Sequence, residues 1–293
     1  MDSYNKQVIF HLPGVFRFFN GYQVLLSLIK DRPYIVKDNI KIGSIYGSPQ
    51  CIWNGGRLVL KAIFDKHELE YIKQVMSTFN IPVRFTFTNC LLDETHTFDT
   101  YGNLLLEIFN TGKNEVICNS PILEDYIRNK YKNRYKYISS TTKRLNNCEE
   151  QTKELQKDYY LIVLDYDHNK NYDYLSSIEN KSKCEILCNP VCKPFCAKRT
   201  AHYKNISQCQ LEYNSNDRMQ CHDAFLNFWQ TKKNKAFISI EDINNIYIPL
   251  GFKNFKLEGR TTHPMDWVEI ILYYLIKEEY KDEVRSKLQQ AVW

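Results

Sequence analysis

The chain has 293 residues, a hydrophobic fraction of 43% and a net charge of +5, which is enough apolar material for one large folded domain or two modest ones. A charge this mild does not by itself require a nucleic-acid partner. The longest apolar run, at residues 268–276, is far shorter than the roughly 20 residues of a membrane-spanning helix, so we expect no membrane association. Residues 1–10 lack the apolar core of a secretory leader, which favours a cytoplasmic protein.

Short apolar segments alternate with longer amphipathic segments along the whole chain. The amphipathic segments carry apolar residues at helical spacing, for example at residues 15–30 and 66–78, and we predict further helices at 97–110, 142–157 and from 264 onwards. The segments with strand character are residues 7–11, 39–46, 83–88, 115–118, 135–139, 159–165, 184–188 and 252–257.

This alternation contains few hairpin turns, which favours parallel strands joined by right-handed helical crossovers. We therefore predict an α/β fold, a (β/α)8 TIM-barrel-like domain spanning residues 1–293, with a doubly wound open sheet as the alternative. One segment, residues 188–236, is longer than a crossover needs, and we predict a Cys-rich insertion there, between strands seven and eight. An extra strand is predicted at residues 237–240 and a short helix at 240–246.

The cysteines of this insertion recur at a regular interval. Cys188, Cys192 and Cys196 are spaced by four residues, with Pro190 and Pro194 in the two intervals. Because proline disfavours a regular helix, the segment is predicted to be a loop that brings the three thiols together. Such a group suits zinc or an iron–sulfur cluster, and the spacing does not decide between them. Buried, inert thiols are the alternative, whereas disulfides are not expected in a reducing cytosol.

Polar residues follow the carboxyl ends of most predicted strands, and in a barrel these ends share one face. We predict a substrate pocket there, and Gly55 and Gly56 beside an arginine suit the close approach of a ligand. Ordinary turns, helix caps and salt bridges are the structural alternative for each residue. The predicted pocket residues are His11, Asn54, Arg57, Asn89, Asn119, Lys143 and Asp165.

Residues 128–144 hold seven basic residues interleaved with three tyrosines. Tyrosines stack on bases and basic side chains neutralise phosphates, so this stripe is a candidate RNA contact. A solvated helix end is the alternative interpretation.

Two segments resemble the collagenase-like (U32) peptidase family. Residues 250–260, L-G-F-K-N-F-K-L-E-G-R, are similar to the F-K-I-E-G-R strand of that family. Upstream, C-K-P-F-C-A-K-R from Cys192 to residue 199 is similar to its C-x3-C-R element. The resemblance implies a TIM-barrel-like fold. Several members of the family hold a 4Fe-4S cluster and act with partner proteins in oxygen-independent hydroxylation of RNA bases or of a quinone precursor. The resemblance implies the same cofactor and type of reaction for this chain.

Carried over to this chain, the resemblance implies that Cys192 and Cys196 ligate the cluster. Cys188 joins them by its spacing, and Cys221, preferred over Cys209, would complete the set. The matching strand implies catalytic roles for Glu258 and Arg260.

Two functional hypotheses follow from these observations. The first is an iron–sulfur-dependent enzyme that hydroxylates RNA bases or a small aromatic compound. The second is a zinc-stabilised barrel that acts as a binding module or as a peptidase or other hydrolase.

Overall fold

The computed structural model of the protein describes residues 7–221 and 224–292, and within these residues parallel strands close into an eight-stranded barrel. Strand β1 pairs with both β2 and β8, so the sheet has no free edge. This closure confirms the predicted (β/α)8 fold and excludes the open sheet. The strands are β1 Val8–Pro13, β2 Ile40–Gly47, β3 Val83–Phe87, β4 Glu115–Cys118, β5 Lys136–Ser139, β6 Leu161–Val163, β7 Cys184–Leu187 and β8 Asn254–Lys256.

Helices surround the barrel, and several begin at side-chain caps that the sequence supplies. Asp65 and Glu68 form a reciprocal capping box at the start of α2, and Ser120 caps α4 ahead of Pro121. The helices are α1 Phe19–Asp31, α2 Lys66–Thr78, α3 Thr100–Ile108, α4 Pro121–Tyr131, α5 Cys148–Leu155, α6 Tyr172–Ser177, α7 Arg199–Leu211, α8 Phe228–Thr231, α9 Ile240–Asp242, α10 Ile248–Leu250, α11 Pro264–Leu275 and α12 Lys281–Val292, with a π-helical turn, Ile243–Tyr247, joining α9 to α10. None of the described helices is long and apolar enough to cross a membrane.

Two predicted elements differ from the structure. The helix predicted at residues 142–157 begins only at Cys148, because Arg144 is left-handed (φ 62°) and Asn147 supplies the cap. The extra strand predicted at residues 237–240 is not formed. Its segment makes a turn bond from the Phe237 N–H to the Asn234 carbonyl (2.9 Å) and a bond to the end of β7, from the Ile238 N–H to the Cys188 carbonyl (2.8 Å), before α9 begins.

Alternation along the strands sorts their side chains into two environments. Phe85, Phe87 and Phe255 point outward into the main hydrophobic core between barrel and helices. A second, smaller apolar cluster of Ile117, Ile138, Leu161 and Val163 lies apart from it. The remaining buried strand residues include charged side chains that contact each other across the barrel: His11, Arg84, Glu115, Glu185 and Lys256. The barrel interior therefore contains a buried charge network below its mouth.

Candidate functional site

A small pocket opens at the carboxyl ends of the strands, the end where TIM barrels carry their active sites. Its volume of about 70 Å³ is enough for about two water molecules, each of which occupies roughly 30 Å³ in the liquid. The lining combines hydroxyl groups, charged groups and two aliphatic side chains: Tyr46, Gly56, Arg57, Thr86, Thr88, Ile117, Ser140, Thr141, Thr142, Tyr166, Leu187, Tyr203, Lys256, Glu258 and Arg260. The pocket is therefore suited to a polar or charged group.

One short segment supplies three of the charged groups. Lys256 is the last residue of β8, and Glu258 and Arg260 follow in the loop. Asn189 fixes this loop, because its side chain accepts a hydrogen bond from the Glu258 N–H (2.7 Å) and donates one to the Glu258 carbonyl (2.9 Å). The segment that carries the F-K-L-E-G-R sequence therefore builds much of the pocket.

Arg260 is a cation without an anionic partner among the described residues. Its guanidinium donates to the Thr86 hydroxyl and to the Gly55 carbonyl, and no described carboxylate forms an ion pair with it. Burial, together with the nearby charge of Arg57, lowers the pKa of Arg260 to about 10. A half-buried guanidinium without a counter-charge favours the approach of an anion or a developing negative charge.

Arg57 and Glu258 form an ion pair at the wall of the pocket. The second guanidinium nitrogen of Arg57 donates to the Gly56 carbonyl (2.6 Å), and the second carboxylate oxygen of Glu258 accepts from the Val191 N–H (3.0 Å). Because both carboxylate oxygens are occupied, Glu258 serves here to hold Arg57 and the Val191 backbone in place.

The glycine pair before Arg57 has a packing role. A Cβ on Gly55 would lie only 2.2 Å from the Thr88 carbonyl oxygen, so only glycine allows this segment to approach the end of β3. Gly56 has φ +70°, a backbone conformation that side chains disfavour. The two glycines thus place Arg57 at the pocket by packing against protein backbone, whereas the sequence suggested a close approach to a ligand.

Lys256 is a pocket residue that the sequence analysis did not single out. Its ammonium nitrogen lies 3.6 Å from a Glu185 oxygen and 4.2 Å from the ring centre of Tyr46. Burial, reinforced by the charges of Arg84 and Arg260 and opposed by Glu185, lowers its pKa to about 7. The alternation of side chains along β8 could have identified Lys256. Because Phe255 points outward into the hydrophobic core, the next residue, Lys256, points into the barrel.

Below the pocket, Arg84 joins groups from three other strands. It donates to Glu115 (2.5 Å), to Glu185 (2.5 Å) and to Nδ1 of His11 (2.9 Å). Since a guanidinium only donates, Nδ1 of His11 accepts and Nε2 carries the hydrogen, facing Asn254 Oδ1 at 3.4 Å. His11 lies in this buried network and is not among the pocket-lining residues.

The buried state of His11 predicts acid sensitivity. Burial, reinforced by the Arg84 charge, lowers its pKa from 6.5 to about 3. Between these values the unfolded chain binds a proton that the folded chain does not, so the free energy of unfolding should fall by about 1.4 kcal/mol per pH unit below about pH 6.5. We expect His11→Asn to show a shallower pH dependence of urea unfolding between pH 6.5 and 4.5 than the wild type. Parallel curves would contradict a neutral, buried His11.

The three predicted asparagines bind protein groups. The Asn54 amide donates to the Pro49 carbonyl (2.6 Å), and the Asn89 amide donates to the carbonyls of Ile52 and Ser207. Both side chains are buried and lie outside the pocket lining. Asn119 donates to the hydroxyl of Thr142 (2.8 Å), a lining residue, and so supports the pocket wall from behind.

Lys143 and Asp165 are likewise engaged elsewhere. Lys143 donates to Glu154 and to the Tyr159 hydroxyl, both at 2.8 Å, on the helix side of the mouth. Asp165 belongs to a cluster of two aspartates and two arginines: Asp165, Asp167, Arg144 and Arg199. Of the predicted pocket residues, Arg57 alone lines the pocket, together with the two predicted catalytic residues.

The aspartate–arginine cluster anchors the Cys-rich loop to the barrel. Arg199 lies 2.9 Å from an Asp167 oxygen and donates to the Lys193 carbonyl (2.7 Å). The Phe195 N–H donates to Asp167 (2.8 Å). These bonds hold the loop after β7 against the end of β6.

The predicted ligand Cys188 points away from the mouth. Alternation places it on the same face as Cys184 and Ile186, within the main hydrophobic core. Its thiol donates to the Ile186 carbonyl (3.7 Å), and burial raises its pKa well above the usual value. Such an environment disfavours the thiolate that metal binding requires.

The other predicted ligands lie in the loop region. Cys192 packs against Tyr166 and Leu187, and Cys196 and Cys221 are half-buried. Across residues 7–221 and 224–292, no three His, Cys, Asp or Glu side chains are placed together as a metal-binding group. The cysteines in this arrangement do not fit a four-thiolate cluster or a zinc site, and either centre stays a prediction of the sequence.

The basic stripe at residues 128–144 begins at the opposite end of the barrel from the pocket. Arg128 pairs with Glu124 (2.8 Å) and lies over the Tyr137 ring (3.9 Å), and Lys136 starts β5. RNA contact by this stripe stays a prediction.

Comparison with known proteins places the chain among distant relatives. No family model matches it. Its sequence is 22% identical over 253 residues to an uncharacterized protease of Methanocaldococcus jannaschii. The aligned region covers 83% of this chain and 74% of that protease. Its structure is similar to that of a solved U32 peptidase, with a TM-score of 0.53 and 14% identity over 88% of this chain and 95% of that chain. The structural similarity supports the same barrel fold.

Proposed function

We propose that this chain, which resembles the collagenase-like (U32) peptidases in sequence and in fold, hydrolyses peptide bonds at the mouth of its barrel. One observation carries the proposal: the segment at residues 256–260 supplies Lys256, Glu258 and Arg260 to a single polar pocket. These three charged side chains have different contacts, and we therefore assign them different roles.

Lys256 has the properties of a general base. With a pKa of about 7 it is largely uncharged just above neutrality, which is the range where a base works best. In the proposed reaction it takes a proton from a water molecule while the water oxygen bonds to the carbonyl carbon of the substrate. The carbon–nitrogen bond then breaks, and the Lys256 ammonium returns the proton to the leaving amine.

Arg260 has the properties of an electrophilic group. Negative charge develops on the carbonyl oxygen during attack, and a guanidinium without a carboxylate partner among the described residues stabilises it more than one already neutralised. Arg57, held by Glu258, would orient the carbonyl or carboxylate groups of the substrate. Glu258 is in this scheme a positioning residue.

The iron–sulfur hypothesis rests on the family resemblance of the cysteine segment. No step of the proposed hydrolysis requires a cluster, because Lys256 and Arg260 supply the base and the charge stabilisation. Anaerobic purification with iron and zinc analysis separates the two hypotheses. A brown protein with stoichiometric iron that is lost in Cys196→Ala would favour redox chemistry over the hydrolysis proposed here.

The direct test is hydrolysis of a library of internally quenched peptides by the metal-analysed protein. We expect cleavage by the wild type and none above background by Arg260→Met, because that variant lacks the group that stabilises the oxyanion. Lys204→Met, an exposed change on α7, is the control. A cleavage rate for Arg260→Met equal to that of the control would contradict the proposal.

A further inference from the structure

Two wider grooves flank the pocket, and each shares a lining residue with it. The first groove, about 550 Å³, is lined among others by Arg17, Leu60, Lys61 and Arg218, and it meets the pocket at Arg260. The second groove, about 670 Å³, is lined among others by Lys193, Phe195, Phe225, Lys233 and Lys235, and it meets the pocket at Tyr166. The pocket therefore lies between two grooves at the barrel mouth.

Both grooves are basic. Lys193, Lys233 and Lys235 are exposed in the second groove, and none of them forms an ion pair with a carboxylate in the described part of the chain. The one aspartate in its lining, Asp167, is already bound by two arginines. A fourth lysine, Lys170, pairs with Asp242 (2.9 Å). The free positive charge thus favours an anionic occupant.

The first groove repeats this charge pattern. Arg17, Lys61 and Arg218 are exposed, and the described residues include no carboxylate in ion-pair contact with them or in the groove lining. The grooves on the two sides of the pocket consequently attract negative charge on both sides of the proposed catalytic groups.

The grooves are also apolar enough to hold side chains. Phe195, 72% exposed, lies beside the half-buried Phe225 in the second groove. The first groove is walled by Leu58, Val59 and Leu60, which are aliphatic and only half-buried. An occupant with both acidic and apolar side chains satisfies both features.

The backbone of the first groove favours a polypeptide. Residues 58–61 form neither helix nor strand. Val59 bonds to the side chain of Gln210 through both its N–H (2.9 Å) and its carbonyl (3.0 Å), whereas the backbone groups of Leu60 make no hydrogen bond to any described residue. Unpaired backbone groups beside an aliphatic wall suit pairing with an extended peptide. A nucleic-acid strand would instead contact basic and aromatic side chains, and it would leave these backbone groups unpaired.

We infer that this protein binds an acidic polypeptide in extended conformation across both grooves and cleaves it internally. The inference rests on the proposed function and adds to it the substrate class and the mode of cleavage. Because the grooves lie on both sides of Lys256 and Arg260, the substrate polypeptide extends from the cleaved bond in both directions. Acidic side chains of the substrate lie near the lysines of the second groove and the basic residues of the first.

Binding tests this inference independently of catalysis. The probe is a fluorescent peptide of about ten residues, roughly 33 Å when extended, with alternating glutamate and leucine. Anisotropy titrations use the full chain carrying Lys256→Met, so that cleavage does not interfere. The test variant adds Lys193→Glu and Lys235→Glu. The matched control adds Lys41→Glu and Lys253→Glu, the same charge change at exposed positions at the amino-terminal end of the barrel.

We expect the charge reversals at Lys193 and Lys235 in the groove to weaken peptide binding by about tenfold or more. The control reversals at Lys41 and Lys253 should change it much less. A lysine–leucine peptide of equal length should bind more weakly than the acidic one. Equal weakening by the two reversals, or tighter binding of a single-stranded RNA probe that depends on the same lysines, would overturn the inference. If the wild type does not cleave the peptide but binding depends on the groove lysines, the hydrolysis proposal and the cleavage part of the inference fail, whereas the binding of an acidic polypeptide stands.

Discussion

Replacing Lys256 with methionine is expected to lower kcat/KM for peptide hydrolysis by about 10²- to 10⁴-fold. Methionine has a similar length and fits the same space, but it neither accepts nor returns a proton. The fold should persist, because Glu185 keeps its 2.5 Å bond to Arg84. Since burial disfavours the charged form of Lys256, the variant should be at least as stable as the wild type near neutral pH.

A matched control is available three residues earlier in the chain. Lys253 is exposed and precedes β8 at the far end of the barrel, so Lys253→Met should leave hydrolysis unchanged. Thermal unfolding of both variants checks that the fold is intact. Full activity in a folded Lys256→Met protein would remove Lys256 from the proposed mechanism.

Replacing Arg84 with methionine is expected to lower the free energy of unfolding by about 3–5 kcal/mol. The change leaves two buried carboxylates, Glu115 and Glu185, without the cation that bridges them at 2.5 Å, and it removes a donor from His11. Urea unfolding at pH 7 measures the loss.

The comparison for Arg84→Met is Lys153→Met, which removes an exposed lysine paired within α5 to Glu149 (2.6 Å). An exposed pair of this kind contributes about 0–1 kcal/mol, so that variant should stay close to the wild type. A loss below about 1 kcal/mol for Arg84→Met would show that the charge network does not hold the barrel together.

The barrel could be predicted from the sequence because its signals are local. Apolar strands alternate with amphipathic helices, and caps such as Asp65 and Ser120 mark where helices begin. The start of α5 was predicted too early, since the left-handed turn at Arg144 interrupts a pattern that otherwise resembles a helix.

The pocket was predicted only in part, because a residue at a strand end can point in several directions. Arg57, Glu258 and Arg260 line the pocket, whereas Asn54 and Asn89 bind nearby carbonyls. Sequence position alone does not separate these outcomes, since both kinds of residue follow strands.

Lys256 and the network beneath it require knowledge of which strands face each other. Arg84 on β3 meets Glu185 on β7, and the two residues are far apart in the sequence. The cysteine spacing was similarly ambiguous, since an interval of four fits a converging loop and also two residues on one face of a strand. Cys184 and Cys188 lie on one face of the β7 segment, and both are part of the hydrophobic core.

The pH dependence of kcat/KM for a quenched acidic peptide tests the central claim most directly, namely that the charged groups at the end of β8 form a hydrolytic site. The pKa of about 7 for Lys256 predicts a rate that rises about tenfold per pH unit below pH 7 and reaches a plateau above it, as the base loses its proton. The residual rate of Lys256→Met should lack this rise. A wild-type profile that is flat from pH 5 to pH 9, or an identical rise in Lys256→Met, would contradict the account.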